Sequence, residues 1–242
     1  MYEPRTYRHW IRDKDLTVFN VVVKETDLYI RASSNLQEKA YKLVRKYRNI
    51  LEKYIEQYPP FLASLEPVSV SNDAPRIIKS MSEAAGRVGV GPMASVAGAI
   101  AEFVGSELLA FSPEIIVENG GDIYLKSLRK RLIGIYAGKS PLTGKIGLEI
   151  NGQDTPLGIC TSSGTVGHSL SFGTADAVIV LSKSAILADA AATAIGNLIV
   201  EPDDIPRGIE LAKGIKGLTG AVIIKGDDMG LWGEVKLCQT TA

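Results

Sequence analysis

The chain has 242 residues, 45% of them hydrophobic and 22% charged, without a low-complexity run; this excludes intrinsic disorder and is enough chain to bury a large core. Lysine plus arginine equals aspartate plus glutamate at 27 each, so no basic excess points to nucleic acid or to an anionic membrane, and the expected partner is a small molecule or another protein. Two cysteines, Cys160 and Cys238, are too few for a disulfide framework, and the absence of a CxxC or Cys/His cluster argues against zinc, which fits a reducing cytoplasm.

The first residues, Met1-Tyr2-Glu3-Pro4-Arg5, lack the apolar stretch of a signal peptide, and the expectation is a soluble cytoplasmic protein. From Tyr7 to Arg31, β-formers such as Trp10, Val18, Phe19, Val21, Val23, Tyr29 and Ile30 are separated by polar breaks. Lys24-Glu25-Thr26-Asp27 suits a hairpin connection, so two or three antiparallel strands are predicted. His9 has no ligand-type neighbour and reads as an ordinary strand or surface histidine. Ser34 and Gln37 form a capping-box pattern before a run from Leu36 to Tyr58 with apolar residues at steps of three and four, a long amphipathic helix stopped by Pro59-Pro60. Glu38, Glu52 and Glu56 are mixed among its lysines and arginines, which reads as a solvated face.

A second helix is predicted from Pro75 to Arg87, and a third from Ala94 to Ala110 after Val88-Gly89-Val90-Gly91-Pro92-Met93. The window Val88 to Ala101 is too short to span a bilayer and is broken by Gly89, Gly91 and Pro92. The third helix begins with small residues, Ala94, Ser95, Ala97, Gly98 and Ala99, which admit either an anion at the helix start or close packing against a sheet. Strands follow at Glu114 to Glu118, Ile123 to Lys126, Leu132 to Ala137 and Lys145 to Ile150. Asn119-Gly120-Gly121-Asp122 between the first two has the composition of a tight hairpin turn, and the same turn offers amides and a carboxylate to a ligand. Gly134 to Ser140 imitates a phosphate-binding P-loop but has three residues between its glycines where four are needed, so that reading is discarded. A strand is predicted at Asp176 to Leu181, then a helix capped by Ser182 or Ser184 and running through Leu198, and another helix from Ile205 to Ile215. Thr219 to Lys225 is expected to pair with Leu231 to Leu237 across Gly226-Asp227-Asp228. The order amounts to two pseudo-duplicated strand-strand-helix-helix-strand-strand units, an α+β domain with mainly antiparallel sheets and helices on one face, and one domain over residues 1–242.

Chemistry concentrates between Ile159 and Asn197. Asp189, Thr193 and Asn197 fall at i, i+4 and i+8 of an alanine-rich helix, a polar stripe on a closely packed element. A carboxylate and a hydroxyl, with a backbone carbonyl, would suit Mg²⁺ better than zinc; the alternative is an aspartate placed favourably near a helix N-terminus. Thr161-Ser162-Ser163-Gly164-Thr165 offers hydroxyls and amides to a phosphate or a ring edge, or is a serine-rich turn, and without Gly-x-Ser-x-Gly it is not a nucleophile elbow. His168, in Gly167-His168-Ser169, is placed where a general base could reach a substrate, or is structural.

In the same chain order, Asn119-Gly120-Gly121-Asp122-Ile123, Cys160-Thr161-Ser162-Ser163-Gly164 and Ala188-Asp189-Ala190-Ala191-Ala192-Thr193-Ala194 resemble three motifs of the ApbE-type FAD:protein FMN transferases. Gly91-Pro92-Met93-Ala94-Ser95 falls where that family has its glycine-rich helix start, and the resemblance covers roughly residues 85–237. It implies a T-fold-related domain that binds FAD, with Mg²⁺ held by Asp189, Thr193 and the main-chain oxygen of Ala94, and with FMN passed to a threonine of an acceptor protein as AMP leaves. Asn119, Gly120, Gly121, Asp122, Thr161, Ser162, Ser163 and Gly164 would line the ligand, with Asp189 and His168 in catalytic positions. The chain departs from the pattern in three places, the first being that the family's usual lipoprotein cysteine near the N-terminus has no counterpart among Cys160 and Cys238. Ser95 stands where the family has a lysine, and the His-x-x-Asp-Pro-x-Thr-Gly segment is shortened to an interval that holds His168. These features describe a divergent branch, with a Mg²⁺-dependent flavin transferase or FAD pyrophosphatase as the leading reading. A flavin or nucleotide carrier or sensor, and an interaction domain using the first long helix, are the alternatives; a homo-oligomer is left open.

Overall fold

The computed structural model describes residues 8, 15–166 and 171–240. Both histidines, His9 and His168, lie outside the described residues. Strands β1 (Thr17–Val23) and β2 (Thr26–Ala32) form the predicted hairpin, closed by Lys24 at a φ of 52°. Helix α1 (Gln37–Gln57) ends ahead of Pro59, and Pro60 opens a single further turn, α2 (Pro60–Ala63), where its missing N–H costs nothing. The Ser34/Gln37 capping box does not form: Leu36 occupies the cap position, and the Gln37 amide donates instead to Asn35 Oδ1 at 2.9 Å. An asparagine two residues before the amide closes a local ring that displaces the serine.

Helix α3 (Arg76–Val88) stops at Gly89, whose φ of 75° is the left-handed conformation a glycine adopts freely. The chain then bends by 104° into a 3₁₀ turn (Pro92–Ser95) and helix α4 (Val96–Leu108). Strands β3 (Ile115–Asn119) and β4 (Asp122–Lys126) are joined by Gly120 and Gly121 at φ 70° and 107°, the two positive values that a two-residue hairpin demands. After β5 (Arg131–Gly134) and β6 (Ile146–Ile150), β7 (Leu157–Ser162) and β8 (Ala177–Ser182) lead into α5 (Ala185–Gly196) and α6 (Ile205–Gly214). Strands β9 (Leu218–Lys225), β10 (Asp228–Gly233) and β11 (Leu237–Gln239) complete the order.

The large sheet has the order β1-β2-β3-β4-β7-β8-β9-β10, every neighbouring pair antiparallel. Its halves, β1 to β4 and β7 to β10, meet at β4 and β7, and in each half the helices lie in the chain between the second and third strands. That is the pseudo-duplication expected from the sequence. Two readings are corrected. Leu157 to Ser162 is a strand, so Thr161 and Ser162 end an extended run and do not belong to a turn. The partner of β9 is Asp228 to Gly233, joined by a two-residue turn, whereas Leu237 to Gln239 crosses to a second sheet, β11-β6-β5.

Helices cover one face of the large sheet and the small sheet covers the other. Alternate residues therefore serve two cores: Val117, Tyr124, Cys160, Val180 and Ile223 face the helices, whereas Ile116, Ile123, Leu125, Ile159, Ile179 and Val222 face the small sheet. Strands buried on both faces read as unbroken apolar runs such as Ala177 to Leu181, which explains why periodicity in the sequence does not reveal the second layer.

Helix α5 is buried among α3, α4 and the β7–β8 surface, with Asp189 and Thr193 among its few partly exposed positions. Ser184 caps it: its Oγ accepts from the Leu187 amide and donates to Glu102 on α4 at 3.0 Å. Ser184→Ala is expected to lower stability by about 1 kcal/mol, the usual value of a cap, read as a lower urea midpoint at unchanged slope. Among the described residues no single helix is long and apolar enough to cross a membrane.

Candidate functional site

The bend before α4, the β3–β4 turn, the end of β7 and the polar stripe of α5 converge on one cavity of about 940 Å³. Of the residues singled out in the sequence, Ala94, Asn119, Gly120, Gly121, Asp122, Thr161, Ser162, Ser163, Asp189 and Thr193 line it, as does Asn197. Gly164 does not; a Cβ there would sit 2.1 Å from the carbonyl oxygen of Gly173, so this glycine serves a close backbone crossing behind the wall. Helix starts and hairpin turns carry small residues here because backbones must approach one another closely. At Gly98 a Cβ would lie 2.4 Å from Ala185 O.

Asp189 Oδ2 accepts from the Gly98 amide at 2.8 Å, and its carboxyl also accepts from Ala97. The amides at the start of α4 are thus already met by a carboxyl of the protein itself. Asn119 Nδ2 donates to Ala97 O at 3.1 Å and ties the hairpin turn to the same helix start. Asp122 Oδ1 accepts from the Thr161 amide at 3.1 Å, and Cys160 beneath it donates its thiol to the Ala185 carbonyl at 3.3 Å. Burial pushes the Asp122 carboxyl up to about 7, helped by the charge of Glu118 and opposed by the Thr161 amide and the Cys160 thiol. Asp189 is likewise pushed up, first by burial and then by the charge of Asp122, against the pull of the Gly98 and Ala97 amides. Burial also raises the Cys160 thiol, with both aspartates adding to it. Two carboxyls that oppose each other's ionisation in a secluded wall form a place where a cation lowers the electrostatic cost.

The donors available to a ligand are a subset of the lining. Ser163 Oγ already accepts from the Thr165 and Val166 amides at 3.1 and 3.0 Å, so that hydroxyl shapes the bend. The hydroxyls of Thr161, Ser162 and Thr193 have no hydrogen-bond partner among the described residues. Ser95 is fully buried and donates to Pro92 O at 2.8 Å, away from the cavity. Among the described residues no lysine lines the cavity, and no three His, Cys, Asp or Glu side chains form a metal-binding group. A metal here would therefore rest on mixed oxygen donors. Asp189 uses two acceptor positions of about four, and Thr193 is open, so the residues present fit a hard, oxygen-seeking ion such as Mg²⁺.

The cavity extends further than the motifs. It continues around the sheet end to the small-sheet side, where Ile123, Ile133, Ile135, Leu148, Ile159 and Ile179 form an apolar slot. Arg8, Arg31 and Glu118 line it too and were not singled out in the sequence. A carboxylate directly after the apolar run Ile115 to Val117 was the available signal for Glu118. Arg8 carried none, because its partner lies 110 positions away.

Comparison with known proteins places the family and the fold. A family model described as AbpE bacteria matches residues 8–213. The UPF0280 protein of Methanococcus aeolicus is 45% identical over 216 residues, covering 87% of this chain and 84% of the relative. That of Methanopyrus kandleri is 45% identical over 221 residues, covering 88% and 89%. Among solved structures, the flavin transferase ApbE from Vibrio cholerae matches with a TM-score of 0.58 at 15% identity, covering 93% of this chain and 97% of that one. Apo flavinyl transferase ApbE of Pseudomonas stutzeri gives 0.57 at 13% identity, covering 90% and 94%. At such identities the structural likeness speaks for the fold. The chain belongs to the family described as AbpE bacteria, on a branch it shares with the UPF0280 proteins and with the fold of the ApbE flavin transferases.

Proposed function

We propose that the cavity binds a flavin nucleotide, FAD, together with Mg²⁺, and that the chain, as one ApbE-like domain in the cytoplasm, transfers FMN to an acceptor protein or hydrolyses FAD. The observation that carries this reading is the convergence of Asp189, Thr193, Ala94 and the Asn119–Asp122 turn on one cavity, in the family's order. Asp189, Thr193 and the Ala94 carbonyl would hold the ion, which when bound supplies charge neutralisation to the pyrophosphate. The free hydroxyls of Thr161 and Ser162 would bind phosphate or ring edges, and the isoleucine-lined slot would exclude water from an aromatic ring. In the transfer, an acceptor hydroxyl oxygen attacks the FMN phosphorus, the bond to the bridging oxygen breaks, AMP departs with that oxygen, and the hydroxyl proton passes to a base, for which His168 is the candidate. Water in place of the hydroxyl gives FMN and AMP.

A second reading, a flavin carrier without turnover, is favoured by one observation: the position of the family's lysine is Ser95, buried and bonded to Pro92. Titration of the purified protein with FAD, with and without Mg²⁺, followed by flavin fluorescence and AMP release, tests both. We expect Mg²⁺ to tighten FAD binding by about 10-fold or more, and Asp189→Ala to abolish that gain while circular dichroism stays native. AMP release supports the enzyme, tight binding without AMP supports the carrier, and no binding under either condition rejects both.

A further inference from the structure

Arg8 is set into the cavity wall. Its Nε donates to Glu118 Oε2 at 2.6 Å, its Nη1 spans both oxygens of Asp27 at 3.2 Å, and its Nη2 donates to the Asp27 carbonyl at 2.9 Å. Its own carbonyl accepts from Arg31 Nη2 at 2.6 Å, and both guanidinium groups lie over the Tyr29 ring, 5.3 and 4.6 Å from its centre. Arg8 and Glu118 are almost fully buried, with side-chain exposures of 8% and 3%. The second oxygen of Glu118 accepts from the Gly121 amide at 2.9 Å. The next residue, Asp122, holds the Thr161 amide. Arg8, Glu118, Gly121, Asp122 and Thr161 thus form one continuous chain of bonds along the cavity rim, from the β1–β2 hairpin across β3 and β4 to β7.

The two glycines of the turn gain nothing from side chains, so the turn's position is set by what grips it. On the helix side those grips are Asn119 on Ala97 and Asp122 on Thr161; on the opposite side it is Glu118 on Gly121. Glu118 keeps its orientation because a fork-shaped donor fixes its other oxygen, and a point charge such as lysine does not reproduce a fork that also spans Asp27. We propose that Arg8 is a positioning residue for the ligand site: through Glu118 it fixes the Gly120–Asp122 turn, so that this arginine is part of the binding machinery. The functional consequence rests on the reading of the cavity as a flavin site; the structural one does not.

The test compares Arg8→Ala, Arg8→Lys and Glu118→Gln with the unmodified chain, reading amide hydrogen exchange at Gly121 and Val222 and the FAD dissociation constant in Mg²⁺. Glu118→Gln leaves one side-chain oxygen where Arg8 Nε and the Gly121 amide each use one of two, and it removes the charge beside Asp122, which leaves the test intact if removing Arg8 prevents folding. We expect Gly121 to exchange about 10-fold faster in all three, Val222 in the sheet interior to be unchanged, and FAD affinity to fall about 10-fold, with Arg8→Lys no rescue. The double variant Arg8→Ala with Glu118→Gln should be no worse than either alone. Equal acceleration of Gly121 and Val222 would mean a purely structural role and overturns the proposal, as would unchanged Gly121 exchange in Glu118→Gln. If the unmodified chain binds no FAD, the flavin reading fails, and Gly121 exchange alone still decides whether Arg8 sets the turn.

Discussion

Gly98→Ala is expected to destabilise the protein by about 3 kcal/mol or more, seen as a fall in the urea midpoint, and to abolish ligand binding in whatever folded fraction remains. A helix interior ordinarily gains about 1 kcal/mol from replacing glycine by alanine. Here the new Cβ would lie 2.4 Å from the Ala185 carbonyl oxygen and 2.9 Å from both the Ala185 carbonyl carbon and the Asp189 Cβ. Two of those atoms are backbone at the start of α5, so neither can rotate away, and the packing penalty outweighs the propensity gain. Relief requires the two helices to move apart, and the Gly98 amide then leaves Asp189 Oδ2. The same substitution at Gly86 provides the control of opposite sign. That glycine is exposed in α3, nothing lies within 4 Å of its would-be Cβ, and Gly86→Ala should stabilise by about 0.5–1 kcal/mol. Two glycine-to-alanine changes with opposite outcomes would locate the constraint in the α4–α5 crossing; equal outcomes would remove it.

That crossing also marks where the sequence could be read and where it could not. Local signals placed the elements well: the Pro59-Pro60 stop, the Gly120-Gly121 turn and the Ser184 cap all act through neighbours a few residues away. The chain order of hairpin, helices, hairpin, repeated once, correctly anticipated the pseudo-duplicated antiparallel sheet. The failures were long-range. Strands buried on both faces lose the alternation that would reveal a covering layer, so the small sheet is not legible, and the expected run Leu231 to Leu237 is divided: Leu231 to Gly233 pair with β9, and Leu237 begins β11. The acceptor at the α4 start is the Asp189 carboxyl, 91 residues away, where the sequence left a ligand anion or close packing open. Close packing holds at Gly98, and the amide there is taken by the Asp189 carboxyl. Arg8 was invisible for the same reason, since a buried ion pair between distant segments leaves no pattern in either.

Asp122→Asn is expected to stabilise the protein, by an amount that grows with pH. The Asp122 carboxyl lies at about 7 in the folded chain and at about the model-peptide value of 3.8 when unfolded. Below pH 3.8 the carboxyl is neutral in both states and contributes nothing. Between there and pH 7 the unfolded chain has released the proton and the folded chain has not, so the unfolded state binds fewer protons and stability falls as pH rises. Above pH 7 the loss is complete and on the order of 4 kcal/mol. An asparagine keeps the Oδ1 acceptor for the Thr161 amide and carries no charge to desolvate. It also withdraws one of the charges that hold Asp189 up, so Asp189 ionises at lower pH. Urea denaturation in EDTA at pH 4, 6 and 8 should therefore show a small difference at pH 4 and one of several kcal/mol at pH 8. A constant difference across that range would mean that Asp122 titrates as an exposed carboxylate and that burial does not govern it. If the difference does grow, this chain retains, at the end of β4, an acid that weakens its own fold at neutral pH. Stability relinquished at a buried carboxyl facing a cavity is what a binding or catalytic role demands and what packing alone would have removed. Adding Mg²⁺ with FAD then supplies the last discriminating comparison: bound charge should offset the ionisation penalty, so the gain in stability on addition should increase with pH in the unmodified chain and be nearly flat in Asp122→Asn.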